Sequence, residues 1–367
     1  MIMTIRSNKI FTAVVAMFAI LGSVSCSKWT EPESMPLHSP SLEEMYPEEY
    51  ADYIASIRAY RQTDHQMVWG WFDNSASSAT GQSVRLTAIP DSLDAVVLMY
   101  PELLDSWEVE EMHAIQQERA VKVMYTIRYS DIVAEYEASL PQEDDTTDDS
   151  EAEVTETMDE TDASPAEDGF IAVMDAYLDR VLPLCEKYAF DGITVWYDPV
   201  DYTHIEESAS RIEAARHTAF LTKLNEWIAA NPEKMFVMES SRMQYIMDSS
   251  ILEASDYIVV HTELETNIIG VSMAVNNLLV EDIPTDRFIV LSHMTSSSDP
   301  RLGYITDTDG NSVNATWEIA WWVREPAEGM TKAGLGIYAI NSDYWSSEVD
   351  YYITKKAISI LNPSPIN

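Results

Sequence analysis

The chain has 367 residues, with 22 Lys and Arg against 62 Asp and Glu and a formal net charge of -40. Such a balance excludes binding of nucleic acid or anionic lipid through a basic surface, and it disfavours acidic glycans such as heparan or polygalacturonate. The only cysteines are Cys26 and Cys185, and no Cys/His spacing of a metal site occurs, so the sequence implies no metal and no cofactor.

Residues 1–25 have the pattern of an export signal. Arg6 and Lys9 precede an apolar run from Ile10 to Leu21 that is too short for an ordinary spanning helix. The run ends at Ser23-Val24-Ser25-Cys26, which resembles a lipoprotein lipobox with Ser23 where an aliphatic residue is usual. Acylation of Cys26 is the expected consequence, with the protein held at the outer membrane by lipid alone and exposed at the cell surface. Residues 26–47 are rich in Pro, Ser and Glu and suit an extended tether.

From residue 48 onwards the pattern is that of one α/β domain running to residue 367. Glu48–Tyr60 is helix-like. Eight short β-rich runs follow: Met67–Phe72, Ala95–Met99, Lys122–Ile127, Gly192–Tyr197, Met235–Met238, Tyr257–His261, Phe288–Leu291 and Gly336–Ile340. Helical patterns separate most of them, at Glu108–Arg119, Phe170–Tyr188, Ile205–Ala230, around Leu252, at Ile268–Leu279 and at Thr316–Glu325, and Ile353–Leu361 closes the series. Eight strands alternating with helices predict a (β/α)8 TIM barrel. An open doubly wound sheet is the competing topology, but no Gly-rich phosphate loop supports it. Cys185, in an apolar helical context, is expected to be a small core residue. Residues 142–168 contain thirteen Asp or Glu and no Lys or Arg, and are expected to form a disordered insertion between the third strand and its helix.

One strand carries the functional signal. Phe190-Asp191-Gly192-Ile193-Thr194-Val195-Trp196-Tyr197-Asp198 resembles the signature strand of glycoside hydrolase family 18, the chitinases and endo-β-N-acetylglucosaminidases. The resemblance implies the family's barrel and a pattern Asp-x-x-Asp-x-Asp-x-Glu. Here Asp191 keeps the first acid, Thr194 and Trp196 replace the next two, and Asp198 stands at the catalytic Glu. Alternation along a strand places Thr194, Trp196 and Asp198 on one face, towards the barrel interior. The family uses the substrate's N-acetyl group as nucleophile and needs a Glu to protonate the leaving oxygen, with an Asp two residues earlier to orient the acetamido group. Trp196 can do neither and would plug the pocket, while Asp198 is shorter than Glu by one methylene.

Two further segments extend the resemblance. Ser255–Glu263 looks like the sixth strand, with His261 at the usual Met or Gln and Glu263 at the usual acetamido-binding Tyr. Gly336–Asp343 looks like the eighth, with Ile340 at the chitinase floor Trp. The set resembles the family-18-like lipoproteins of Bacteroidetes glycan-utilisation systems. That implies a non-catalytic surface protein binding a neutral oligosaccharide or glycoprotein glycan, N-acetylglucosamine-containing or N-glycan-like, beside an outer-membrane glycan importer. Asp198, Glu239, His261, Glu263, Asp343 and Trp345 are the expected glycan contacts at the C-terminal mouth. Two alternatives stay open: an active endo-β-N-acetylglucosaminidase with Asp198, Glu239 or Glu263 as a variant acid, and a structural or adhesive surface lipoprotein.

Overall fold

A computed structural model of the protein describes residues 42–76, 78, 80–141, 169–201, 207–296, 298–299, 301–346 and 349–363. Residues 1–25, Cys26, the tether as far as residue 41 and the insertion 142–168 lie outside the described residues. Two compact units divide the chain, Met1–Asp52 and Tyr53–Asn367. The first contributes the short helix Leu42–Met45 and the start of the helix Pro47–Tyr60. The second contains the barrel.

Eight parallel strands close the barrel in the order β1-β10-β7-β6-β5-β4-β3-β2. They are β1 (Met67–Phe72), β2 (Ala95–Leu98), β3 (Lys122–Arg128), β4 (Gly192–Trp196), β5 (Met235–Ser240), β6 (Tyr257–His261), β7 (Phe288–His293) and β10 (Lys332–Tyr338). The remaining pair, β8 (Tyr304–Thr306) and β9 (Ser312–Asn314), forms an antiparallel hairpin before the helix Ala315–Arg324. This is the expected (β/α)8 fold, with every predicted barrel strand overlapping an observed one.

Period-two alternation divides the core. Outward-facing Ile193, Val195 and Tyr197 of the β4 segment join a large cluster beneath the surrounding helices, together with Cys185, which is buried and free. Inward-facing Trp69, Trp71, Val97, Met124, Val237, Val259, Ile289 and Leu291 fill the barrel itself. Close strand approach explains Gly192: a Cβ there would meet the Met235 carbonyl oxygen at 2.1 Å.

Three aspartates repeat one device at the N-terminal mouth. Asp94, Asp191 and Asp256 immediately precede β2, β4 and β6. Their carboxylates accept the backbone N–H of Val68, Val123 and Phe236 at 2.8, 2.9 and 2.9 Å. Each aspartate's own N–H donates to the carbonyl of the same residue, at 2.9, 2.8 and 2.8 Å. A strand that begins before its neighbour has an unpaired amide, and the carboxylate satisfies it. Asp191 also takes Lys122 Nζ at 2.9 Å. The motif acid retained in the sequence is thus a strand staple at the end of the barrel away from the C-terminal mouth.

Several boundaries differ from expectation. β3 runs directly into a helix, Tyr129–Ser139, so the acidic insertion follows that helix instead of preceding the first helix after β3. The predicted helix Phe170–Tyr188 is broken into Gly169–Val181 and Leu184–Lys187, with Pro183 unable to continue the amide ladder. Ile340 lies in the 3-10 segment Ile340–Trp345 beyond β10, where it is buried against Gly70 in the outer cluster.

Candidate functional site

Alternation within β5 and β6 carries Glu239 and His261 inward above Val237 and Val259, into the C-terminal mouth. Glu239 is fully buried. Its Oε1 accepts from Trp71 Nε1 at 3.2 Å and from Thr126 Oγ1 at 3.1 Å. Thr194, at the second motif acid, donates to Thr126 at 3.0 Å and so belongs to the same network. His261 Nε2 donates to Glu239 Oε2 at 3.1 Å, and Nδ1 donates to Glu263 Oε1 at 2.9 Å.

Burial alone would push the His261 pKa down. Hydrogen bonds donated to both glutamates, with the glutamate charges, outweigh that and lift it to about 10. His261 is therefore an imidazolium held between two carboxylates. Trp196 lies on it with ring centroids 4.2 Å apart and planes 27° apart, so an electron-rich indole face covers the cation. Tyr338 of β10 meets Trp196 edge-on at 6.3 Å. Trp196 thus covers the imidazolium of the Glu239–His261–Glu263 cluster. Glu263 Oε2 is buried with no hydrogen-bond partner among the described residues.

Asp198 stands at the edge of the Trp196 indole. Trp196 Nε1 donates to its Oδ2 at 2.8 Å. Its Oδ1 accepts from Ser240 Oγ at 2.9 Å, Ser241 N at 2.7 Å and Ser241 Oγ at 2.9 Å. Partial withdrawal of the carboxyl from water raises its pKa, but these four donors more than offset that and hold it below the ordinary aspartate value. A groove of about 580 Å³ flanks Trp196 and Asp198, bounded by the helices Tyr129–Ser139 and Glu207–Ala230.

The expected contacts separate into three groups. Glu239, His261 and Glu263 form one cluster, and Asp198 reaches it through Trp196. Asp343 is buried, and its two oxygens accept from Ile353 N at 3.2 Å and Thr354 N at 2.7 Å. In place of an open sugar contact it is a cap on the helix Tyr352–Leu361. Trp345 is 72% exposed at the end of the 3-10 segment and packs edge-on against Tyr344. Sequence reasoning did not assign Thr126 or Tyr338 to the site. Both occupy inward or terminal positions of strands recognised from sequence, and that alternation was the available signal. Among the described residues no group of three or more His, Cys, Asp or Glu is arranged to hold a metal.

A closed parallel barrel with carboxylates, imidazole and indole gathered at its C-terminal mouth is the frame of a glycoside-hydrolase-type protein. The chain belongs to glycoside hydrolase family 18, BT1044-like, whose family pattern matches residues 30–360. No curated protein matches the sequence. Among solved structures, a selenomethionine Glu-to-Gln variant of BT1044 is 18% identical with a TM-score of 0.58, over 88% of this chain and 96% of that one. An endo-β-N-acetylglucosaminidase from Cordyceps militaris in apo form is 17% identical with a TM-score of 0.54, over 85% and 96%. At these identities the likeness to solved structures is one of fold. Family membership ties the chain to glycans.

Proposed function

We propose that the protein is a non-catalytic glycan-binding lipoprotein, anchored through Cys26 at the outer membrane, that captures neutral N-acetylglucosamine-containing or N-glycan-like saccharides for uptake beside an importer. The state of Asp198 carries the loss of catalysis. Protonation of a leaving oxygen requires an acid that holds a proton and is free to transfer it. Asp198 accepts four hydrogen bonds and is held ionised. Glu239 has both oxygens engaged in the core. The position of the acetamido-orienting acid is Trp196, which covers His261. What remains is a concave, partly aromatic mouth with fixed hydroxyl acceptors, a surface suited to holding sugar rings.

The test is prolonged incubation of concentrated protein with chitin oligomers and N-glycans, followed by mass spectrometry, beside a glycan array. Intact saccharides and array binding are expected. Turnover that disappears in Asp198→Ala overturns the non-catalytic assignment, and an array without hits overturns glycan capture. For the anchor, Cys26→Ala is expected to abolish labelling by a fatty-acid probe and to release the protein from membranes. Unchanged labelling would remove Cys26 from the role.

A further inference from the structure

We infer that the saccharide sits off the barrel axis, in the groove between the helices Tyr129–Ser139 and Glu207–Ala230, and that this groove accepts neutral or amine-bearing sugars and rejects anionic ones. The inference rests on the glycan-binding function proposed above and fixes the place and charge class of its ligand.

The barrel axis is shut. One face of Trp196 lies on His261, and beneath it the two glutamates are tied to that ring. No sugar can stack on that face without displacing the imidazolium from between two buried carboxylates, an exchange that leaves them uncompensated. Trp196 also lines the groove outside the axis, together with Asp198. The volume of about 580 Å³ lies within the range of small-ligand sites, about 300–1,000 Å³.

The polar groups lining the groove set the preference. Among the described residues Asp198 Oδ2 accepts only the Trp196 indole N–H, so it retains capacity for a ligand hydroxyl or ammonium proton. Glu137 and Glu213 add two carboxylates to the lining, and Arg216 is its cation. That guanidinium is already committed: it donates to Glu213 at 2.8 Å and lies over the rings of Phe170 and Tyr136 at 4.4 and 5.2 Å. The field left for a ligand is negative, on a chain whose overall charge has the same sign. A sialylated or uronic saccharide meets repulsion there, and a de-N-acetylated amino sugar meets attraction.

Calorimetry on the full-length protein with four probes tests this: chitotetraose, its fully de-N-acetylated counterpart, and a biantennary N-glycan with and without terminal sialic acids. The glucosamine tetramer is expected to bind at least as tightly as chitotetraose. The sialylated glycan is expected to bind about tenfold more weakly than its neutral form at low salt, the two converging as salt is raised. Ala134 and Glu137 are exposed on the groove-side helix, so substitutions there spare the core. Ala134→Trp fills the groove and is expected to weaken every probe by about tenfold or more, the scale of a blocked contact centre. Glu137→Lys is expected to narrow the sialic acid penalty at low salt, since an exposed charge acts mainly on charged ligands. Trp345→Ala is the comparator. Unchanged binding in Ala134→Trp, or loss confined to Trp345→Ala, overturns the groove and leaves glycan capture standing. Preference for the sialylated glycan overturns the charge class. Failure of all four probes and of the array overturns glycan capture itself, and the groove with it.

Discussion

The two mouths of the barrel use carboxylates in opposite ways. At the N-terminal end Asp94, Asp191 and Asp256 each take a backbone N–H of the preceding strand, and their role is the register of the sheet. At the C-terminal end Glu239, Glu263 and Asp198 are held by side chains or loop groups of Trp71, Thr126, His261, Trp196, Ser240 and Ser241. Backbone amides are present whatever the sequence, so a staple depends on one residue. A side-chain cluster depends on several residues at once. Asp191 can therefore stay while Thr194, Trp196 and Asp198 differ from the family pattern: the first acid belongs to the fold and the others to the site.

The largest test of this contrast is His261→Ala. It leaves Glu239 and Glu263 buried without their shared cation, and unfolding by urea is expected to show a loss of about 3–5 kcal/mol, the scale for breaking a buried ion pair from one side. A loss below about 1 kcal/mol would mean that the cluster is not the tightly coupled unit its distances describe. Asp191→Ala comes next. It orphans the Val123 amide and should cost about 1–3 kcal/mol while leaving saccharide affinity unchanged. A stable protein with altered affinity would move Asp191 from fold to site.

The pH dependence sharpens the contrast further. The His261 pKa is raised from 6.5 to about 10, so its contribution to stability is fully present below pH 6.5 and is lost as pH rises towards 10. His261→Gln is expected to flatten that decline in urea midpoints measured from pH 6 to 10. Asp198 behaves with the opposite sign. Its pKa is depressed below 3.8, so its contribution persists down to that value and is lost only in stronger acid. Saccharide affinity is accordingly expected to stay flat between pH 5 and 7. The smallest stability effect belongs to Trp345→Ala, within about 0.5 kcal/mol by thermal unfolding, because the side chain is 72% exposed.

The barrel was legible in the sequence because strand cores are short, apolar runs of fixed order. Met67–Phe72 and Tyr257–His261 are recovered with their full bounds. The helix Tyr129–Ser139 escaped because it begins on the residue after β3, with no turn residue to mark the change of period. The cluster was half legible. Sequence alternation gives the inward positions Glu239, His261 and Trp196, but their partners on β1 and β3, Trp71 and Thr126, come from strands more than a hundred residues away. Asp343 lies in the loop region following a barrel strand, where a site residue and a helix cap look alike until the carboxylate's direction is known. The staples had a sequence signal, an aspartate directly before each of β2, β4 and β6, whose meaning depends on which neighbouring amide lacks a partner.

The stacking of Trp196 on His261 also determines which sequences neighbour this one productively. Trp196→Asp strips the cover from the imidazolium and adds a third carboxylate beside Glu239 and Glu263. Asp198→Glu moves the carboxylate one methylene beyond the positions where Ser240 and Ser241 now donate. Trp196 and Asp198 are in direct contact, so the two changes are expected to be non-additive. Installing the family's acids in this barrel is therefore a concerted problem. Restoring the family's acid pattern one substitution at a time meets each of these losses separately.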